Sequence, residues 1–430
     1  MKGHDLGAPS GRPAAGRTNS PRAARQASDP DLREILPGPE PPLGTLPRRL
    51  LRAERVDGVI PVCDSDLSGN ERAYLMECVE SGWVSSRGPF VERFERAFAE
   101  AVGCEHAVAC SSGTAALHLA LAALGLGPGD EVILPAFTMI AVVNAVDYVG
   151  ARPVLVDVDP ETWNLDPAAV EARVGSCTRA VLAVHTYGHP ADMEPLLALA
   201  RARRLRVIED VSEAHGAEYH GQRLGSLGHV AAFSFYANKI VTTGEGGMMT
   251  TGDTDLAAQA RELRGLAFSA ERHFWHKRRG FNYRMSSLQA AVGLAQTERL
   301  SELVERRRRA ARLYAERLRG VPGLTLPVER PGARSVYWMY GVVVGDDFGC
   351  TRDALRRHLA ERGVETRSFF VPLHLQPVCA PAFAGERYPV SEALCARGLY
   401  LPSGPLLSEA EIDYVSDAIR SAPRASRPGD

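Results

Sequence analysis

Short apolar runs of four to six residues, each bounded by turn-forming residues, recur seven times: 107–110, 131–134, 153–157, 180–185, 206–209, 231–235 and 247–250. Runs this short fit strands buried on both faces better than helices, which need longer periodic stretches. Segments with helical spacing lie between several of them, at 114–124, 140–148 and 193–203, and two more precede them at 70–80 and 90–102. This alternation predicts an α/β fold whose core is a large, mainly parallel seven-stranded sheet covered by helices. In such sheets ligands bind beyond the carboxyl ends of the strands, so the residues that follow each run are the ones to inspect.

Beyond the sheet, residues 286–319 hold no proline and one internal glycine. Leu288, Val292, Ala295, Leu300, Leu303 and Val304 recur there at helical spacing, which predicts one long helix leading out of the large domain. A strand at 336–344, a helix at 351–362 and a strand-like stretch at 365–370 predict a smaller C-terminal α/β domain. The large domain is expected over 57–315 and the small one over 316–421. Residues 1–56 are dominated by Pro, Arg, Ala, Gly and Ser and lack apolar periodicity, so they are expected to form a disordered tail, as are residues 422–430. The leading segment lacks the apolar core of a signal peptide, and its acidic residues argue against an organellar transit sequence.

With 45% hydrophobic and 24% charged residues, the 430-residue chain can bury one large core and a smaller second one. Its net charge of -2, from 50 basic and 52 acidic residues, offers no global field to attract nucleic acid or an anionic membrane. No apolar run approaches the roughly 20 residues of a membrane helix. The basic stretch 48–55 and the cluster at 306–309 are read as solvated surface. Eight scattered cysteines, with no Cys-x-x-Cys pair, suit reduced thiols in a cytoplasmic protein and suggest neither a disulfide framework nor a metal site. Cys110 is read as a small buried side chain.

Three segments that follow apolar runs carry chemistry. Ser112, Gly113 and Thr114 open a helix after the first run, where unpaired backbone N–H groups and the helix dipole can hold a phosphate. A plain helix cap explains the same residues equally well. The run 206–209 leads into Asp210, so a strand ends in the carboxylates of Glu209 and Asp210, with Glu213 and His215 just beyond. A carboxylate at that edge can pair with a cationic ring or cap a helix. Lys239 follows an apolar strand and enters the Gly-rich turn 242–247, where partial desolvation makes an amine lose its proton more easily, as a Schiff-base lysine requires. A phosphate cup, a strand-end aspartate and a lysine, in that order, match the needs of pyridoxal phosphate: an anchor, a charge partner for the pyridine nitrogen and an amine.

The chain from about Val59 to Ile419 resembles the sugar aminotransferases of the DegT/DnrJ/EryC1/StrS family, which share fold type I of the PLP-dependent transferases. The resemblance rests on Ser85-Ser-Arg-Gly88, Ser112-Gly-Thr114, Pro135-Ala-Phe-Thr138, His185-Thr-Tyr-Gly188, Glu209-Asp210, Ser234 five residues before Lys239, Gly244-Glu-Gly-Gly247, Asn282-Tyr-Arg-Met285 and Pro372-Leu-His374. It implies Lys239 as Schiff-base lysine and proton carrier, Asp210 on the pyridine nitrogen, and Gly113, Thr114 and Ser234 around the phosphate. Asn282 would reach the phosphate of a neighbouring subunit, which implies a homodimer with shared active sites. His185 and His374 are candidates to touch substrate, each weighed against a structural role.

Two positions depart from the commonest family pattern. Glu213 stands where many members carry glutamine beneath the cofactor, and in this it resembles the perosamine synthases, which aminate carbon 4 of GDP-4-keto-6-deoxymannose using glutamate. Met139 stands where relatives often place an aromatic ring against the cofactor. Its sulfur can pack there, with Phe137 in that role or plain core packing as alternatives. The expected function is therefore PLP-dependent transamination of a nucleotide-linked keto-deoxysugar, with glutamate or glutamine as amino donor. A glutamine-dependent aminotransferase acting on a free cyclitol ketone is the nearer rival, and a non-catalytic regulator that kept the fold is the more distant one.

Overall fold

A computed structural model describes residues 35–38, 58–268, 272 and 274–423. Nine strands fall between residues 106 and 251: β1 (His106–Cys110), β2 (Glu131–Pro135), β3 (Arg152–Val156), β4 (Thr178–Val184), β5 (Arg206–Asp210), the two-residue pair β6 (Glu218–Tyr219) and β7 (Gln222–Arg223), β8 (Val230–Ser234) and β9 (Gly247–Thr251). Seven of them form one sheet in the order β1-β9-β8-β5-β4-β2-β3. All seven expected runs are strands, with ends shifted by a residue or two. The pairs from β3 across to β8 are parallel. β9 alone runs antiparallel to both its neighbours, β1 and β8. The carboxyl ends of β1, β2, β4, β5 and β8 therefore share one edge.

The strands bury nearly every residue because helices cover both faces of the sheet. The Ala-rich helix Gly113–Ala123 is almost entirely enclosed, since its small side chains let it lie close against β8 and β9. Helices at Glu71–Ser81, Pro89–Val102, Ile140–Tyr148 and Met193–Arg203 fall where the periodicity puts them.

The single long helix expected over 286–319 is instead two, Ser287–Glu298 and Leu300–Leu318, separated at Arg299. Apolar spacing continues across the join, and Leu300, Leu303 and Val304 still pack with the first core, but the rest of the second piece runs into a different one. The first buries Ala290, Ala291 and Leu294 with Phe94 of the Pro89–Val102 helix, while the second carries Ala310, Ala311, Tyr314 and Leu318 into another cluster. One straight rod cannot serve both. Arg299 anchors the break by donating to Asp66 at 2.9 Å and to Glu302.

That other cluster backs a second sheet. Five more strands follow, β10 (Leu324–Thr325), β11 (Ala333–Arg334), β12 (Tyr340–Val344), β13 (Arg367–Ser368) and β14 (Gly398–Leu401), and four of them pair in the antiparallel order β10-β12-β14-β13. The Arg352–Ala360 helix packs on β14, and the Glu409–Arg420 helix packs on that helix and on the Leu300–Leu318 helix. The strand expected over 336–344 begins only at Tyr340. Residues just before it are diverted, because Val336 N–H and the Ser335 hydroxyl both donate to the carbonyl of Gly188. β11 joins β6 instead of the second sheet.

Within the expected leading tail, four residues are placed against the second sheet's helices. Gly38 N–H donates to Asp353, Arg356 donates to the Gly38 carbonyl at 2.9 Å, and the Cys395 thiol faces the Ile35 carbonyl. The remainder of that tail, including the basic stretch 48–55, lies outside the described residues, as do residues 424–430. Among the described residues no helix is long and apolar enough to cross a membrane.

Candidate active site

The sequence motifs converge because β9 is threaded between β1 and β8. Gly247 is paired with Cys110 on one side and Ser234 on the other, which draws the start of the Gly113–Ala123 helix up to the end of β8. The approach tolerates no side chain. A Cβ on Gly113 would lie 2.6 Å from the Cβ of Ser234, and one on Gly247 would lie 2.2 Å from the Ser112 carbonyl oxygen. Ser112 caps the helix by accepting the N–H of Ala115 at 3.1 Å. The first N–H groups of a helix have no partner within it, so Gly113 and Thr114 present donors beside the Ser234 hydroxyl. Cys110, just before them, is wholly buried, and burial pushes its thiol up to about 12, so it is packing and no nucleophile.

Next to β8, β5 ends at the two carboxylates, and strand alternation sends them apart. Glu209 points into the protein, where its oxygens accept the N–H groups of Gly225, Leu227 and Gly228. Asp210 closes the strand; one oxygen accepts the N–H of Ser212 at 3.0 Å. Glu213, three residues on, is buried and accepts the N–H of Tyr187 at 2.8 Å. Burial pushes its carboxyl up to about 7, against the pull of Lys239.

Lys239 sits in the turn after β8, its N–H bonded to the Tyr236 carbonyl. The side chain is half-buried, and the surrounding protein lowers the pKa of its amine, opposed by Glu213 and Asp210. Its Nζ lies 3.6 Å from the ring centre of Trp338. Sequence reading missed Trp338, which stands in a stretch expected to be plain strand. Of the alternatives at residues 137–139, Phe137 is fully enclosed among Tyr187, Phe369 and Phe370. Met139 is 51% exposed, which removes core packing as its explanation.

The histidines divide. His185 is 0% exposed; one ring nitrogen faces Glu209 at 3.2 Å and the other accepts the N–H of Ala191 at 3.0 Å. The expectation that it touches substrate is therefore corrected: it ties β4 to β5 beneath the edge. His374 bonds Glu392 through Nε2 at 3.0 Å, while its buried Nδ1 has no partner. Burial lowers its pKa, opposed by Glu392. The turn that carries it is fixed to the end of β2 by the Leu373 N–H bond to the Ala136 carbonyl. Asn282 lies exposed on a separate loop, its amide oxygen accepting from Arg284.

The sequence profile of the DegT/DnrJ/EryC1/StrS aminotransferase family matches residues 65–420, a span that includes all of these residues. The chain belongs to that family. It is 48% identical over 361 residues to the GDP-perosamine synthase of Caulobacter vibrioides, covering 84% of this chain and 97% of that relative. Against the GDP-perosamine synthase of Escherichia coli O157:H7 the identity is 41% over 360 residues, with 84% and 97% covered. Among solved structures it is similar to the Streptomyces venezuelae DesV in complex with a ketimine intermediate, with a TM-score of 0.79 and 40% identity over 83% of this chain and 95% of that one. A putative sugar aminotransferase from Streptococcus pneumoniae in its PMP form has a TM-score of 0.79 at 26% identity, covering 85% of this chain and 97% of that one.

As a DegT/DnrJ/EryC1/StrS aminotransferase the protein is an enzyme, and membership implies pyridoxal phosphate as its cofactor. The residues at the edge suit that group. The cradle that a Cβ on Gly113 would fill offers donors to a phosphate, Asp210 offers an acceptor to a ring nitrogen, and Lys239 offers a half-buried amine.

Proposed function

We propose that the protein moves an amino group from glutamate to the ketone of GDP-4-keto-6-deoxymannose, with pyridoxal phosphate held where β1, β5 and β8 end. The observation that carries this reading is the meeting of Lys239, Asp210 and the Gly113–Ser234 cradle at one sheet edge, with Glu213 beside them. The substrate class comes from the GDP-perosamine synthases among its relatives. A nucleotide-linked keto-sugar and an amino-acid donor are the partners this entails.

When bound, the cofactor supplies an electron sink for the carbon that loses its proton. The chain's own residues do the rest. Gly113 and Thr114 N–H groups, with the Ser234 hydroxyl, bind the phosphate at the positive end of a helix. Asp210 holds the ring nitrogen in its protonated form from a site where burial weakens solvent screening. Lys239, whose amine burial makes easier to deprotonate, takes up the proton released from the donor's α-carbon and later delivers one to the sugar carbon that bore the ketone. Met139 offers an apolar face. The family resemblance assigns the exposed Asn282 to the phosphate site of a second copy, which would make the working unit a homodimer.

The test is the product. Full-length enzyme given nitrogen-15 glutamate and GDP-4-keto-6-deoxymannose should place the label on the sugar, as read by mass spectrometry. No labelled GDP-sugar, with turnover of an inosose and glutamine instead, would replace this reading with the cyclitol one.

A further inference from the structure

We propose that Trp338 is a positioning residue for Lys239: its indole face holds the lysine's ammonium whenever the amine is not covalently engaged, keeping it aimed at the sheet edge between proton transfers. The inference rests on the reading of Lys239 as the proton-carrying amine.

The geometry is that of a cation over an aromatic face. The 3.6 Å between Nζ and the ring centre is well inside the roughly 6 Å over which such attraction acts. The ring is also locked. Its Nε1 donates to the carbonyl of Asn238, the residue immediately before the lysine, at 2.8 Å, and Trp338 is only 4% exposed. Its own carbonyl accepts from Arg307 at 3.0 Å. Lysine and platform are thus fastened to each other through backbone as well as through the ring.

The chain is shaped to deliver this indole. Tyr337 takes a left-handed φ of 47°, which residues other than glycine seldom adopt. Gly188, at φ 102°, gives way to it: a Cβ there would lie 2.8 Å from the Trp338 nitrogen and 2.9 Å from that of Tyr337. The diversion that delays β12 until Tyr340 is the same feature seen from the sheet.

The electrostatic surroundings give the ring its purpose. Asp210 from β5, Glu213 from the loop after it and Cys63 from the segment before the first helix favour the charged amine. Burial and Arg307, from the Leu300–Leu318 helix, favour the neutral one. Arg307 is itself buried and bonded to Trp338, Ser403 and Cys63. A further carboxylate under Nζ would fix the charge and leave a poor base. An aromatic face steadies the ammonium without adding a formal charge, so the proton stays exchangeable.

The test exploits a compositional fact: the chain holds three lysines, Lys2, Lys239 and Lys277. In full-length protein freed of cofactor and labelled with carbon-13 at lysine Cε, the Lys239 signal is the one lost in Lys239→Ala, and its shift against pH gives the titration midpoint. Trp338→Leu should lower that midpoint by about one pH unit, and Trp338→Phe should recover part of the loss. Fluorinated tryptophan, incorporated at the four tryptophans, drains the ring face without changing its fit and should lower the midpoint as well. The fluorinated protein decides alone if thermal melting shows that Trp338→Leu does not fold. An unmoved midpoint in the fluorinated protein overturns the proposal, and equal losses in the Leu and Phe variants assign the effect to the indole N–H and overturn the role of the face. Undiminished turnover in Lys239→Ala would instead remove the reading of the lysine itself.

Discussion

Glu213 accepts the backbone N–H of Tyr187 at 2.8 Å, and Tyr187 is held there in a left-handed conformation with φ 52°. A buried carboxyl thus pins the turn after β4 while facing the lysine of the turn after β8. Its folded pKa of about 7 lies above the 4.5 of a free glutamate. The folded state therefore binds the proton more tightly, and this contribution is complete below about pH 4.5 and lost as pH rises through about 7. Glu213→Gln keeps an oxygen for the Tyr187 N–H and removes the titration. Urea denaturation from pH 5 to pH 8 should show a smaller loss of stability with rising pH in Glu213→Gln than in the native chain; equal slopes would contradict the assignment.

The cradle makes a steric prediction. Gly113→Ala drives a Cβ into Ser234, touching backbone as well as side chain, and overpacking of this kind costs about 1–3 kcal/mol. Denaturant unfolding should register that loss, and equilibrium dialysis should register weaker retention of pyridoxal phosphate. Adding Ser234→Gly removes the nearest atom, so the double variant should regain stability while still binding the cofactor poorly for want of the hydroxyl.

His185 offers a test of a correction. Because both ring nitrogens are engaged inside the protein, His185→Ala orphans the buried Ala191 N–H, at a cost of about 1–3 kcal/mol. Thermal melting should fall while KM for the sugar holds at its native value in the cold. A raised KM with unchanged melting would return His185 to the substrate.

The segment at residues 35–38 predicts a local effect. Removing residues 1–56 deletes the Gly38 bonds to Asp353 and Arg356. Hydrogen exchange should quicken in the Arg352–Ala360 helix and leave β5 and β8 unchanged. Uniform quickening across both sheets would show that the segment does more than hold that helix.

The fold was legible where burial alone decides. β1 to β5, β8 and β9 are covered on both faces, so each left a short apolar run that fits a buried strand better than a helix. Direction was not legible: the run at β9 looks like its neighbours, and only pairing reveals that it is antiparallel, although that reversal brings Gly113 to Ser234. The break at Arg299 was hidden because apolar spacing persists across it and the reason for it, Asp66, lies 233 residues earlier. At the edge, residues placed by sequence-local turns, such as Asp210 and Lys239, could be nominated from the chain. His185 was misjudged because Glu209, which faces its ring, comes from the next strand, and because the Ala191 N–H is turned onto it only by the fold of the loop. Trp338 left no sign, since its meaning comes from a turn at Gly188 and a lysine 99 residues away.

The central claim is that Lys239 is the amine through which the transferred group's proton passes, and the Lys239→Ala enzyme tests it most directly. Loaded with pyridoxal phosphate and followed by absorbance and product mass, the native protein should be yellow, change colour on adding glutamate, and form amino-sugar. The Lys239→Ala protein should still retain cofactor noncovalently yet form no amino-sugar. Native rates of amino-sugar formation in that variant would contradict the account.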